Sequence, residues 1–301
     1  DASGNYTING LVPAADYVVW TNNFNGLPFI EEVYNNRKSF DFTQADLVDV
    51  SVGDAGGIDF VLDNAASING TITASVGGGA LEGVLVDILD TSCNRVLRTQ
   101  TDASGSYSAV NLDEGSYYVY ARGAFEGFVS ELYPNLPRIQ SCPEPLDEGT
   151  LIQVATGQTV IGIDFQLDVG ASISGVISDI NGPIPPGAAR AKLYALDGTL
   201  LINGRNGFFN GQFGEPPDGY LLRGLPAGDY NLGFAGTTQA PGLIEEIYDD
   251  IPCPRNSCPP GTGATLSLAA GEVLTGIDAV LDQGSQISGR VTDEQGNPLA
   301  S

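Results

Sequence analysis

Apolar residues along this chain alternate with polar ones in short runs and almost never fall into a helical rhythm. The stretch GIDFVLD at 57–63 puts Ile58, Phe60 and Leu62 on one face of an extended strand and Asp59 and Asp63 on the other. The same run returns as GIDFQLD at 162–168 and GIDAVLD at 276–282, so one half-buried strand is predicted three times. A few residues after each comes a second signature: SINGTI at 67–72, SISGVI at 172–177 and QISGRV at 286–291. Alternation places its glycine on the face of the flanking apolar residues, Gly70 with Ile68 and Ile72. A missing side chain there predicts close approach of another backbone.

Two further signatures keep the same order. A tyrosine five residues before a leucine, then a turn and another tyrosine, reads Tyr6, Leu11, Tyr17, then Tyr107, Leu112, Tyr117, then Tyr220, Leu225, Tyr230. The segments between, LVPAAD, LDEGS and LPAGD, carry turn chemistry between two strands. Glu32-x-Tyr34, Glu131-x-Tyr133 and Glu246-x-Tyr248 complete the set. Four signatures recurring in one order mark an internal repeat.

The repeat divides the chain into residues 1–66, the C-terminal part of a β-sandwich repeat; 67–171, a complete repeat; 172–285, a complete repeat with a loop insertion; and 286–301, the first strand of a further repeat. Matching Leu299 to Leu81 and Asp1 to Asp102 leaves the counterpart of 84–101 out of both terminal pieces. An unfinished sandwich exposes an apolar face and unpaired strand edges. Completion by further repeats of the same chain or by a neighbouring subunit is therefore expected, with 286–301 as the donated segment lying beside 1–64.

Composition agrees with many short strands and turns, with 40 glycines and 18 prolines in 301 residues. Twelve basic against 37 acidic residues, a net charge of −25, set the surface against nucleic acid and anionic membranes. No apolar run reaches the roughly 18 residues of a membrane-spanning helix. Of four cysteines, Cys253 and Cys258 lie in one Pro-rich loop, whereas Cys93 and Cys142 fall in the repeat that lacks a local pair. Disulfides Cys253–Cys258 and Cys93–Cys142 are expected, and with them an extracellular or cell-surface location. Zinc is the competing reading, but paired C-x-x-C knuckles are absent and the histidine count is zero.

The residues ISGRVTDEQGNPLAS at 287–301, GVLVDILD at 83–90 and TDASGSYSAVNLDEGSYYVYA at 101–121 resemble the carboxypeptidase regulatory-like domain, a prealbumin-like sandwich. They are also similar to the B-type repeats of bacterial collagen adhesins. The resemblance implies tandem all-β, prealbumin-like or Ig-like sandwiches serving as stalk, spacer, filament unit or sugar-binding appendage. Some adhesin repeats carry a lysine-to-asparagine isopeptide bond. Here Lys38 and Lys192 stand in non-equivalent places, and alternation points Lys192 away from Ala191 and Leu193.

Candidate chemistry is sparse, and no catalytic residue is proposed. Histidine, the usual base near neutral pH, is missing. The aspartate pairs Asp59/Asp63, Asp164/Asp168 and Asp278/Asp282 recur in every repeat and read as an outward, solvated stripe rather than a glycosidase pair. No cofactor is expected. Calcium is the one ion that the oxygen-rich groups Glu245, Glu246, Asp249, Asp250 and Asp102 with Ser104 would suit. Asp1 and Asp102 are equally explained as turn-forming aspartates. Trp20 and, in the insertion, Phe208, Phe209 and Phe213 are candidates for glycan or partner contact, with local packing the preferred reading. The sequons at Asn5 and Asn69 are candidate glycan acceptors in a secreted chain, a pattern that is also common by chance. The resulting reading is a non-enzymatic structural repeat of an extracellular filament or surface stalk, the alternative being a carbohydrate- or calcium-binding module.

Overall fold

The computed structural model describes residues 1–22, 27–35, 37–38, 42, 45–139, 148–205, 208–209, 212–213, 219–253, 258, 261–295 and 297–299, without the side chains of 37–38, 205, 208–209 and 212–213. Among them no α-helix occurs, and a 3-10 turn spans Gly123–Glu126. The chain is an all-β series of sandwich repeats.

Two short strands, β1 (Glu32–Val33) and β2 (Arg37–Lys38), come first. The next ten are β3 (Ala66–Ala74), β4 (Leu85–Leu89), β5 (Arg95–Gln100), β6 (Ser106–Leu112), β7 (Gly115–Arg122), β8 (Glu131–Leu132), β9 (Leu136–Pro137), β10 (Ile152–Val154), β11 (Thr159–Val160) and β12 (Phe165–Leu167). They form one sandwich. Its outer sheet runs β5-β4-β7-β8-β9, with β10 also on β7. In the facing sheet β3 lies between antiparallel β6 and the parallel pieces β11 and β12.

The remaining strands repeat this plan: β13 (Ala171–Asp179), β14 (Gly182–Pro183), β15 (Ala189–Ala195), β16 (Leu200–Arg205), β17 (Phe208–Phe209), β18 (Gln212–Phe213), β19 (Gly219–Leu225), β20 (Gly228–Gly236), β21 (Glu246–Ile247), β22 (Ile251–Pro252), β23 (Leu266–Leu268), β24 (Val273–Leu274) and β25 (Ala279–Val280). The outer sheet is β16-β15-β20-β21-β22 with β23 on β20, and β13 sits between antiparallel β19 and parallel β24 and β25. The insertion adds β17 and β18 at the edge of β19.

Each sandwich closes on alternate side chains of its two sheets. Ile68, Ile72, Val86, Ile88, Tyr107, Val119, Phe165 and Leu167 fill the first, and Ile173, Ile177, Ala191, Leu193, Tyr220, Leu232, Phe234 and Leu281 fill the second. Strands β3 and β13 show the same burial at each of their nine positions. Asp87, inward on the second face of β4 and only 2% exposed, is held by Arg98 through two bonds of 2.6 and 2.9 Å and by Arg122 at 3.3 Å. Its structural counterpart in β15 is Lys192, which pairs with Glu245 at 3.3 Å while Ala191 and Leu193 are buried. The charge changes sign between repeats and the pairing survives.

Candidate functional site

The signatures converge on one structural knot. Gly162 and Gly276 adopt φ of +81° and +74°, a left-handed backbone that breaks the last strand of each sandwich into β11/β12 and β24/β25. The break pushes the carbonyl of Ile163 or Ile277 toward the middle strand. A Cβ on Gly70 would lie 1.9 Å from the Ile163 oxygen, and one on Gly175 2.1 Å from that of Ile277. The expected close approach at these glycines is thus present, and its partner is the glycine-isoleucine-aspartate turn. Beneath the glycine, the Tyr107 hydroxyl donates to the Ile163 carbonyl at 2.6 Å and the Tyr220 hydroxyl to that of Ile277 at 2.7 Å.

The aspartate that follows is not simply solvated. The amide of Thr71 donates to Asp164 Oδ1 at 2.7 Å, and that of Val176 to Asp278 Oδ1 at 2.8 Å. Both carboxylates remain exposed, as alternation leads one to expect, and the turn at the positive-φ glycine also brings each within hydrogen-bond reach of the neighbouring strand.

Residues 1–64 contain the same knot without its middle strand. The Tyr6 hydroxyl donates to the Ile58 carbonyl at 2.5 Å, and the Tyr17 hydroxyl to the Val12 carbonyl at 2.9 Å, as Tyr117 does to Asp113 and Tyr230 to Pro226. Tyr17 bridges Val48 as Tyr117 pairs with Ile152. Exposure differs sharply: Tyr6 is 50% and Leu11 41% exposed, against 3% for Tyr107 and 1% for Leu112. At the other end, Ile287 is fully exposed and a Cβ on Gly289 would meet nothing within 4 Å.

Every exit from a repeat is tied by the same two hydrogen bonds. Ile30, Val129 and Ile244 donate their amides to the carbonyls of Asp63, Asp168 and Asp282, at 2.9, 2.8 and 2.8 Å. Ala65, Gly170 and Gly284 donate to Pro28, Gly127 and Gly242, at 2.9, 2.9 and 2.7 Å. Across the second exit the backbones nearly touch, since a Cβ on Gly224 would lie 2.5 Å from Ala124 Cα.

The Glu-x-Tyr signature supplies a buried group; of its three glutamates the sequence gave a role to Glu246 alone, as a calcium candidate. Glu32, Glu131 and Glu246 are 2%, 2% and 8% exposed. Burial, then the nearby Asp168, pushes the Glu131 carboxyl up to about 7. Burial does the same to Glu246, again to about 7, with Asp250, Asp282 and Asp249 contributing. Nothing in a Glu-x-Tyr triplet signals that its carboxylate lies inside.

The other named residues are dispersed. Cys253 and Cys258 are joined. Cys93 is disulfide-bonded, while Cys142 lies outside the described residues. Trp20 is 48% exposed and meets Phe42 edge to face at 5.6 Å, whereas Tyr120, its counterpart, is buried. Phe208, Phe209 and Phe213 belong to β17 and β18, their side chains falling outside the description. Asn5 is exposed; Asn69 is half-buried in β3 and accepts a bond from Ser108 at 2.7 Å. Among the described residues no three acidic side chains converge as metal ligands. Asp1 and Asp102 instead accept the amides two and four residues on, at 2.8 to 3.0 Å.

No protein-family model matches the chain, and no curated protein matches it. Among solved structures it is similar to the TIE protein of Bacillus anthracis, with TM-score 0.29 and 16% identity over 85% of this chain and 42% of that one. It is similar also to a minor pilin of Streptococcus agalactiae, with TM-score 0.30 and 13% identity over 76% and 99% of the two chains. The shaft pilin SpaA of Lactobacillus rhamnosus GG gives TM-score 0.29 and 11% identity over 75% and 100%. The chain spans less than half the length of the first of these. Likeness at this level carries no argument about function.

Proposed function

We propose that this chain is a structural repeat of an extracellular filament or cell-surface stalk, with its sandwiches joined end to end and no catalytic role. The observation that carries the reading is the recurring exit. Strand β12 ends at Leu167 and β13 begins at Ala171, so successive sandwiches are separated by three residues, and two of these are held by backbone hydrogen bonds. A linker this short and this tied restricts hinge motion, and units that contact mainly their neighbours form a quasi-one-dimensional array. The acidic surface suits an outer, salt-bathed environment, and the Cys253–Cys258 bond suits an oxidising one. Division into units at 67–171 and 172–285 belongs to the same proposal.

Small-angle scattering and negative-stain electron microscopy of the purified chain test it. Stiff rods with the sandwiches in line are expected. Globules with the sandwiches folded side by side, or a broad distribution of inter-unit angles, would overturn it.

A further inference from the structure

We infer that Glu131 is a proton-operated latch on the joint between the two sandwiches: protonated, it keeps residues 127–131 fastened to 168–170, and ionised, it lets them part more often. The inference concerns one chain and stands whether or not that chain is built into a filament.

The latch lies where the chain leaves the first sandwich. The Val129 amide donates to the Asp168 carbonyl at 2.8 Å and the Gly170 amide to the Gly127 carbonyl at 2.9 Å, with a bridge between Phe128 and Val169. The second sandwich is seated on the same segment, since a Cβ on Gly224 of β19 would lie 2.5 Å from Ala124 Cα and 2.8 Å from the Phe128 oxygen. That seat is rooted beside β8. Ser130 Oγ accepts the Ala124 amide at 3.2 Å, and the Ser130 carbonyl accepts the Arg138 amide at 2.7 Å. Parting β8 from the end of β12 therefore loosens the support of β19.

Glu131, the first residue of β8, is placed to cause that parting. It is 2% exposed, and among the described residues its Oε2 is buried with no hydrogen-bond partner. A neutral carboxyl tolerates such a place, whereas a carboxylate there lacks both water and a counter-charge. The surrounding elements offer no positive charge. Opposite Glu131 stand Ala121 on β7 and Pro137 on β9, and on its own side of the chain Tyr133 packs against Phe165. Arg98 and Arg122 are held at Asp87 on the other face of the sheet, and Arg138 is paired with Glu148. The end of β12 brings Asp168, a like charge, with Ser75 bonded to its carboxylate. Burial, with Asp168 adding to it, pushes the Glu131 carboxyl up to about 7. Asp168 is exposed, so separation of 127–131 from 168–170 is what admits water to the ionised group. The placement recurs: Ile30 and Ile244 make the same exit bond as Val129, and Glu32 and Glu246, two residues on, are buried as well.

The sign follows from the raised value. The closed joint holds the proton more tightly than the open one, so opening rises with pH from about 4.5 and levels off above about 7. The difference between those values allows a rise of up to roughly 300-fold, which screening on the Asp168 side reduces to about 30-fold.

Hydrogen exchange of the full chain, read residue by residue and divided by intrinsic rates, reports the opening directly. Between pH 5 and pH 8 the Val129 and Gly170 amides should lose about 30-fold in protection, with the amides of β20 as reference. Glu131→Gln should remove that dependence. Asp168→Asn should keep it with its midpoint moved to lower pH, because the like charge is gone. A merely structural role for Glu131 would shift protection equally at both pH values and leave the dependence in place. Equal protection of the two amides at pH 5 and pH 8 in the parent overturns the inference, as does a dependence that survives in Glu131→Gln. Should Glu131→Gln fail to fold, the midpoint in Asp168→Asn decides: a midpoint identical to the parent's also overturns it.

Discussion

Replacing Gly70 with alanine adds one methyl group at the tightest point of the first sandwich. The new Cβ would lie 1.9 Å from the Ile163 oxygen, 2.6 Å from its carbonyl carbon and 3.0 Å from Tyr107 Cε1. The first two obstacles are backbone, so relief requires the β11/β12 turn to retreat by about 1 Å or more, and overpacking of this kind costs about 1–3 kcal/mol. The retreat also breaks three bonds: Tyr107 to Ile163 at 2.6 Å, the Thr71 amide to Asp164 at 2.7 Å, and the Ile163 amide to Asn69 at 3.2 Å. At about 1 kcal/mol net for each hydrogen bond, the total is about 4–6 kcal/mol. Loss of glycine's backbone freedom in the unfolded chain offsets about 0.5–1 kcal/mol of that. A net of about 4 kcal/mol corresponds to a midpoint lowered by roughly 15–25 °C for a unit of this size. Differential scanning calorimetry should therefore show one transition moved and the other, from the second sandwich, in place. Gly175→Ala should move the second, since its Cβ would lie 2.1 Å from the Ile277 oxygen. Gly79→Ala, where a Cβ meets nothing within 4 Å, is the control. If Gly70→Ala melts within about 3 °C of the parent, the knot does not hold the sandwich together and the reasoning fails.

The buried glutamates make stability depend on pH. Their folded values near 7 exceed the ordinary 4.5, so the folded chain binds more protons between these limits, and stability falls as pH rises from about 4.5 to 7. The shift bounds the loss at about 3 kcal/mol per glutamate and screening reduces it to about 2, so Glu131→Gln with Glu246→Gln should flatten the melting temperature across that window. Asp87→Ala leaves Arg98 and Arg122 facing a buried gap, and because both guanidinium groups retain access to water the expected cost is about 2–3 kcal/mol, below that of a fully buried pair. Equilibrium denaturation of this variant with no loss at all would mean that the pair is energetically idle.

Alternation made the strands and the repeat legible, because a sandwich face buries every second residue and the same faces recur. The glycine of SINGTI was readable for the same reason: an unfilled position on a buried face has few other uses. The partner it meets was not. Reading GIDFQLD as one unbroken strand places Asp164 outward, where it is, but misses that Gly162 at φ +81° breaks the strand and lets the exposed carboxylate accept the Thr71 amide. Local composition does not reveal whether a glycine flanked by β-branched residues sits in a strand or bends it. Burial of Glu131 and Glu246 was illegible because it depends on which loop covers β8 and β21, a long-range property. The swap of Asp87 for Lys192 was hidden too, since each sign looks like an ordinary surface charge until the partner across the sheet is known.

The strand order has a mechanical corollary that bears on the stalk reading. A sandwich is entered at the start of β3 and left at the end of β12, and these two strands lie side by side and run parallel. In a parallel pair the start of one strand and the end of the other lie at opposite ends of the ladder. Tension along the chain would thus pull β3 and β12 past each other, loading their hydrogen bonds together instead of opening them one at a time. The knot at Gly70 stands midway along that ladder, where the Ile163 amide donates to the Asn69 carbonyl and the Asp164 carboxylate accepts the Thr71 amide, both holding the two strands in register. Strands β13 and β25 repeat the arrangement around Gly175.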